Sequence, residues 1–174
     1  TGRPLDVALQ GSGWIAVQGL DGKEAYTRNG SFQVTANGIL QTRSGLNVLG
    51  DSGPITLPPD VEVTIAKDGT ISTVPSGAKP SAVSVVGRLK LVDPPAEQLQ
   101  RGGDGLFQMK NGTAAPANAK VEIVPGSLEG SNVNTVETMV NMISLARKFD
   151  MQMKMLQSAD NNAQKSSSLL SLTG

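Results

Sequence analysis

Residues 134–157 read NTVETMVNMISLARKFDMQMKMLQ and contain neither glycine nor proline. They belong to a run from Ser131 to Thr173 that lacks both residue types, whereas all 10 prolines and 19 of the 20 glycines lie at or before Gly130. Such a run favours one long helix, and the part before it favours many short elements joined by turns. We therefore expect a β domain over residues 1–130 and a helical segment over residues 131–174.

The helical segment carries a heptad repeat of apolar residues. With Met139 at position a, the apolar a and d positions, here called the seam, are Met139, Met142, Ala146, Phe149, Met153, Leu156, Ala163 and Leu170. A seam this long is typical of a coiled-coil helix, and Asn134 followed by Glu137 predicts its N-cap. A helix from Asn134 to Leu172 would be about 58 Å long, more than a small β domain can cover. We therefore expect another helix to pack on the seam.

Of the six Asn-Gly and Asp-Gly pairs in the sequence, the four at residues 21–22, 29–30, 37–38 and 68–69 are taken to predict hairpins with type I′ turns. Three of them have strand-like flanks, which are residues 14–18 with 25–28, 32–36 with 39–42, and 61–65 with 70–74. The pair at 29–30 lies too close to the next turn and is expected to be a bulge or kink inside one hairpin. Further strands are expected at 83–92, 106–109 and 120–124, with a loop at 93–105. The expected fold class is mainly β: an irregular antiparallel hairpin domain followed by a coiled-coil-type helix.

Composition excludes several classes of function. The 15 basic and 15 acidic residues balance, which gives no electrostatic reason to bind nucleic acid or an anionic membrane. No apolar run approaches the ~20 residues needed to span a bilayer. The sequence has no histidine and no cysteine, so Ser-His-Asp and Cys-His nucleophiles, imidazole metal sites, disulfides and zinc knuckles are impossible within it. We expect no enzyme, no cofactor and no metal.

Two weak chemical signals remain. Gly11-Ser12-Gly13 partly matches a dinucleotide-binding fingerprint, but residues 14–17 have the pattern of a strand where that fingerprint requires a helix. We therefore interpret the glycines as a turn before a strand. A carboxylate-based hydrolase would need two acidic residues facing one cleft, and the sequence does not single out such a pair.

Aromatic and basic residues allow one further alternative. Trp14, Tyr26 and Phe32 could form a platform for carbohydrate stacking, although a core cluster across paired hairpins is favoured. Arg88 and Lys90 alternate with apolar residues and are interpreted as a solvated strand face. The alternative function is a monomeric β-domain binding module with a helical stalk.

Two motifs carry a resemblance to a known family. YTRNGSF at Tyr26–Phe32 and LEGSNVNTVETMVNMI at Leu128–Ile143 resemble the flagellar rod and hook proteins. RPLDVALQGSGWIAVQ at Arg3–Gln18, VGRLKLV at Val86–Val92 and ARKFDMQMK at Ala146–Lys154 favour the proximal rod member, with the distal rod protein as the alternative.

The resemblance implies a structural subunit of the bacterial flagellar basal-body rod, which polymerises into an axial drive shaft that transmits motor torque. Its partners would be copies of itself and other rod proteins, with no nucleic acid, small-molecule substrate or membrane insertion. It would lie in the periplasmic rod after flagellar type III export without a cleaved signal peptide. The β domain would form an outer layer, and the seam would belong to a coiled-coil inner layer. Because the family begins with an N-terminal helix that this sequence does not contain, we expect the chain to be a fragment of such a subunit.

Overall fold

The computed structural model describes residues 1–75 and 83–171, with side chains described up to residue 165 in the C-terminal helix. In chain order the elements are β1 (Val7–Gln10), β2 (Trp14–Gln18), β3 (Glu24–Thr27), β4 (Phe32–Val34), β5 (Leu40–Thr42), β6 (Leu49–Gly50), β7 (Gly53–Pro54), β8 (Val61–Ile65), β9 (Thr70–Pro75), β10 (Ser84–Arg88), β11 (Leu91–Val92), a 3-10 helix (Ala96–Gln98), β12 (Leu99–Arg101), β13 (Phe107–Met109), β14 (Glu122–Pro125) and α1 (Thr135–Ser171). The strands lie in one compact unit, Thr1–Glu129, and a second unit begins at Gly130 and contains α1. The predicted fold class is confirmed.

The strands pair in an antiparallel manner and form several small sheets. Five strands form a sheet in the order β11-β2-β3-β13-β12, and three form another in the order β10-β9-β8. The remaining pairs are β1 with β14, β4 with β5, and β6 with β7. The pairing of Val7 with Pro125 brings the two ends of the β unit together.

The three predicted hairpins form, but the prediction of type I′ turns is wrong. Gly22, Gly38 and Gly69 have φ angles of 76°, 78° and 86°, whereas the residue before each has no positive φ. At the second hairpin the Gly38 N–H donates to the Thr35 carbonyl at 2.9 Å, and the Thr35 N–H donates to the Ile39 carbonyl at 3.0 Å. This is a type I turn followed by a left-handed glycine, a loop that is one residue longer and needs only one positive φ.

The prediction of a bulge or kink inside one hairpin at Asn29-Gly30 is also wrong. These residues connect β3 to β4, which belong to different sheets. The Val7 N–H donates to the Gly30 carbonyl at 2.9 Å, and a Cβ atom at Gly30 would collide with the Val7 carbonyl oxygen. Glycine fits here because two backbones approach closely, not because the chain turns.

The later strands follow the sequence less closely. The strand expected at 83–92 is divided into β10 and β11, and β10 contains a register shift between Val85 and Gly87. The strands expected at 106–109 and 120–124 are β13 and β14, displaced by one or two residues. The expected loop at 93–105 instead contains the 3-10 helix and β12, and β1, β6 and β7 are strands that no sequence pattern predicts.

The hydrophobic core joins the small sheets. The largest cluster of buried side chains includes Ile15, Phe32, Leu40, Ile71 and Ile123, which come from four different sheets. Because a two-stranded sheet is marginal by itself and a small sheet needs a packed apolar face, this shared core is what stabilises their arrangement.

Candidate functional site

The helix α1 begins where the sequence predicts. The Asn134 side-chain oxygen accepts hydrogen bonds from the N–H groups of Val136 and Glu137, at 3.1 and 3.3 Å. The Asn134 carbonyl accepts the first intrahelical bond, from the Thr138 N–H at 3.0 Å. This is an N-cap, so the predicted start is confirmed. At 37 residues α1 is about 56 Å long, and the predicted last residue, Leu172, lies outside the described residues.

The seam residues lie on α1 with their side chains exposed. The five larger side chains, those of Met139, Met142, Phe149, Met153 and Leu156, retain 43–64% of their accessible surface. Ala146 and Ala163 are exposed as well, and the side chain of Leu170 lies outside the described part of the chain. Because residues three and four apart share a helix face, these side chains form one apolar stripe along α1. A stripe of this kind favours association with another apolar surface.

The apolar surface of α1 is widest near its start. Val136, Val140, Ile143 and Leu145 flank the seam and are also exposed. Among the side chains described after Leu156, Ala163 alone continues the apolar seam, and Asp160 occupies an a position. The first six turns of α1 therefore offer most of its apolar surface.

A second group of contacts centres on Tyr26, the first residue of the YTRNGSF motif. Its buried phenol oxygen accepts a hydrogen bond from the Ala115 N–H at 2.7 Å and donates one to Glu24 Oε1 at 2.8 Å. Burial raises the pKa of Tyr26 to about 12, so the phenol keeps its proton at neutral pH and can donate it to Glu24. Lys90 Nζ lies 2.6 Å from Glu24 Oε2. The prediction that Lys90 lies on a solvated strand face is wrong, because its side chain is largely buried in this ion pair.

The remaining residues of the motif hold the crossing from β3 to β4. Asn29 Oδ1 accepts a hydrogen bond from the Ser31 N–H at 3.1 Å, which fixes the local bend. The Ser31 hydroxyl donates to the buried Asp6 carboxylate at 3.2 Å, and Phe32 is fully buried in the largest core cluster. The contacts of the motif therefore hold the connection between two sheets in place.

Comparison with known proteins identifies the family. The model of the flagellar hook protein FlgE/F/G D1 domain matches residues 8–73, and that of the flagellar basal body rod FlgEFG protein C-terminal region matches residues 124–169. The flagellar basal-body rod protein FlgF of Escherichia coli K12 is 49% identical over 179 residues, which cover 99% of this chain and 71% of the relative. The chain belongs to the flagellar basal-body rod protein family.

Two further relatives refine the position of this rod protein within the family. FlgF of Salmonella typhimurium is 49% identical over 99% of this chain and 71% of its own length. The basal-body rod protein FlgG of Buchnera aphidicola from Acyrthosiphon pisum is 36% identical over 94% of this chain and 64% of its own length. The rod protein described here is thus more similar to these FlgF proteins than to this FlgG.

Each of the two units of the rod protein matches one of the two family models. The D1 match begins in β1 and ends in β9, so it includes all three predicted hairpins and the YTRNGSF motif. The C-terminal match begins in β14 and includes every seam residue except Leu170.

The chemical alternatives raised by the sequence find little support in the rod protein. Tyr26 and Phe32 are buried, so they cannot stack on a carbohydrate at the surface. They also lie in two different core clusters rather than the single one expected, and the Trp14 ring packs on Phe107 with centroids 4.4 Å apart. The glycines at 11 and 13 precede strand β2, as interpreted from the sequence.

The described part of the rod protein has neither a cluster of metal-binding side chains nor a membrane-spanning helix. Among the side chains described, those of residues 1–75 and 83–165, no group of three or more acidic residues is placed to hold a metal ion. In those ranges, no helix combines the length and the hydropathy that crossing a membrane requires.

Proposed function

We propose that this rod protein is a structural subunit of the proximal flagellar rod and that the seam of α1 is its assembly surface. The observation that carries the proposal is the apolar stripe of Met139, Met142, Phe149, Met153 and Leu156, exposed on a helix of 37 residues. The similarity to proteins named FlgF supports the assignment to the proximal rod.

In this proposal residues 1–130 form the outer layer of the rod, and residues 131–174 contribute α1 to a coiled-coil inner layer. A torque-bearing shaft needs many repeated contacts rather than a catalytic site. Full burial of the five larger seam side chains would contribute roughly 8–15 kcal/mol before the costs of association and side-chain ordering. A head-to-tail contact that does not close on itself then generates a helical filament.

The proposed partners are copies of this chain and neighbouring rod proteins, and the proposed location is the periplasmic part of the flagellar basal body. Export by the flagellar type III system without a cleaved signal peptide is part of the same proposal. We propose no catalytic role, since the relatives are named as rod proteins.

The distal rod is the second candidate, because FlgG proteins match this chain at 31–36% identity and both family models include FlgG. Electron microscopy of basal bodies that carry a labelled subunit separates the two positions. Label at the end of the rod nearest the inner membrane supports the proximal assignment, and label nearest the hook contradicts it.

The assembly surface is tested by two matched substitutions in the full-length subunit. Met153→Asp introduces a carboxylate on the seam, where an unpaired buried charge would cost several kcal/mol. Met155→Asp introduces the same charge at position c, on the opposite side of α1, where 71% of the side chain is exposed. We expect the first variant to be exported but to build no rod, so that the cells do not swim.

The second variant should swim normally. Normal swimming with Met153→Asp would contradict the seam assignment, and so would equal loss of swimming with both variants. Measuring the exported subunit by immunoblot separates failed assembly from failed export.

A further inference from the structure

The segment that leads from the β unit to α1 is short and has no secondary structure of its own. Strand β14 ends at Pro125, and the Gly126 N–H donates to the Asp6 carbonyl at 2.7 Å. Residues 127–134 then form neither helix nor strand, until α1 begins at Thr135. The last residue of this segment that is bound to the β unit determines how many unbound residues precede the helix.

Arg28 is held firmly on the β unit by three contacts. Its Nη1 group donates to the Gly13 carbonyl at 2.9 Å, and its Nη2 group donates to the Gly11 carbonyl at 3.1 Å. Its guanidinium carbon lies 5.9 Å from the centroid of the Trp14 ring, within the range of a cation–π contact. These contacts orient the planar guanidinium and leave its Nε–H free to bind elsewhere.

That remaining donor binds the last residue of the β unit. Arg28 Nε donates to Glu129 Oε2 at 2.7 Å in a charge-assisted hydrogen bond. The two residues are 101 positions apart, and both side chains are partly exposed. Arg28 is already ordered by its other contacts. Forming the pair with Glu129 therefore costs less side-chain entropy than forming an ordinary surface ion pair.

We propose that Arg28 is a positioning residue that fixes the point at which the chain leaves the β unit. While Glu129 is bound, the free connection is residues 130–134. When the pair is broken, residues 127–129 are released and the connection becomes residues 127–134. Its maximum reach then grows from about 17 Å to about 27 Å, at ~3.4 Å per residue. This inference concerns the connection alone and does not depend on the proposed rod function.

The experiment uses residues 1–174 and a single spin label. The sequence has no cysteine, so Leu128→Cys gives one nitroxide site in the segment that would be released. The mobile fraction of the electron paramagnetic resonance spectrum is compared in wild-type background, in Glu129→Ala and in Glu122→Ala. Glu122 is the matched control, because it is an exposed glutamate on the neighbouring strand β14.

We expect Glu129→Ala to increase the mobile fraction about threefold, the change typical of losing an exposed ion pair. Glu122→Ala should leave the spectrum unchanged, and the thermal midpoint of the β unit should stay the same in both variants. Arg28→Lys should also increase the mobile fraction, because the single ammonium nitrogen of a lysine cannot reproduce the spaced Nε, Nη1 and Nη2 donors of the guanidinium. The double variant Arg28→Lys with Glu129→Ala should have a mobile fraction close to that of Glu129→Ala, since both substitutions remove the same ion pair.

An unchanged spectrum in Glu129→Ala would overturn the proposal, and so would an equal increase in Glu122→Ala. A mobile fraction that rises only in variants with a lowered thermal midpoint would also overturn it, because that pattern indicates general destabilisation of the β unit.

Discussion

Replacing Tyr26 with phenylalanine should strongly destabilise the β unit, although it removes a single oxygen atom. The Tyr26 hydroxyl connects the Ala115 N–H, at 2.7 Å, to the Glu24 carboxylate, at 2.8 Å, and Glu24 in turn pairs with Lys90. Tyr26→Phe keeps the ring in the core but leaves a buried N–H without a partner and the carboxylate with one donor fewer. The substitution therefore isolates the polar network from the packing around it.

The expected loss of stability follows from these two contacts. A buried donor left unsatisfied costs about 1–3 kcal/mol, and a hydrogen bond to a charged group contributes about 1.5–3 kcal/mol. Because Glu24 keeps its ion pair with Lys90 and the two losses share one hydroxyl, we expect a total of about 2–4 kcal/mol rather than the full sum. For a unit of this size that is roughly a 10 °C decrease in the melting temperature.

Urea denaturation followed by fluorescence measures the change, because Trp14 is the one tryptophan in the sequence and packs against the same cluster as Tyr26. Glu24→Gln and the double variant complete a double-mutant cycle. We expect the two substitutions to be coupled by about 1 kcal/mol or more. A loss below about 0.5 kcal/mol for Tyr26→Phe, or additivity in the cycle, would refute the network as a source of stability.

Three further predictions follow from other parts of the chain. The hydrogen bond from the Thr70 hydroxyl holds the pKa of Asp68 below its ordinary value of 3.8, so the charged carboxylate stabilises the fold above that pH and the contribution is lost as pH falls through the folded pKa. Asp68→Asn should therefore be less stable than wild type at pH 7, and the difference should shrink as pH falls below 3.8, in urea titrations across that range. Gly30→Ala should cost about 1–3 kcal/mol, because its Cβ would meet a backbone carbonyl, whereas Gly87→Ala, with open space around it, should cost little in the same melting experiment. Circular dichroism over a hundredfold dilution should reveal helicity that rises with protein concentration, and constant helicity in a monomer by sedimentation would contradict the unpaired seam.

Local signals in the sequence predict the positions of the three hairpin turns and the start of the helix, but not the turn type. The three hairpins and the Asn134 cap depend on groups within four residues of one another, so their residue types can be read directly from the sequence. The turn type was mistaken because Asn-Gly and Asp-Gly fit both a two-residue and a three-residue loop. The same hydrogen-bond pattern also closes residues 42–46 and 102–106. In these two turns the residue before the glycine is Ser44 and Asp104, respectively.

Contacts between distant parts of the chain could not be predicted in this way. Lys90 and Glu24 are 66 residues apart, and Ala115 and Tyr26 are 89 apart. Alternation with apolar neighbours correctly placed Lys90 near a strand, but it could not indicate that an acidic side chain from β3 would meet it. Partner choice of this kind depends on which strands become neighbours in a sheet, and no local pattern encodes that order.

The YTRNGSF motif explains how a short stretch can nevertheless carry long-range information. Tyr26 binds Ala115, Arg28 binds Glu129, Gly30 passes against Val7, and Phe32 enters the largest core cluster. Each residue meets a different, distant segment, so a substitution at any one position would break a separate tertiary contact. These independent requirements restrict residue type at alternate positions of one short run. A motif under such restriction identifies a fold more reliably than its length suggests, even where its individual contacts cannot be read from the sequence.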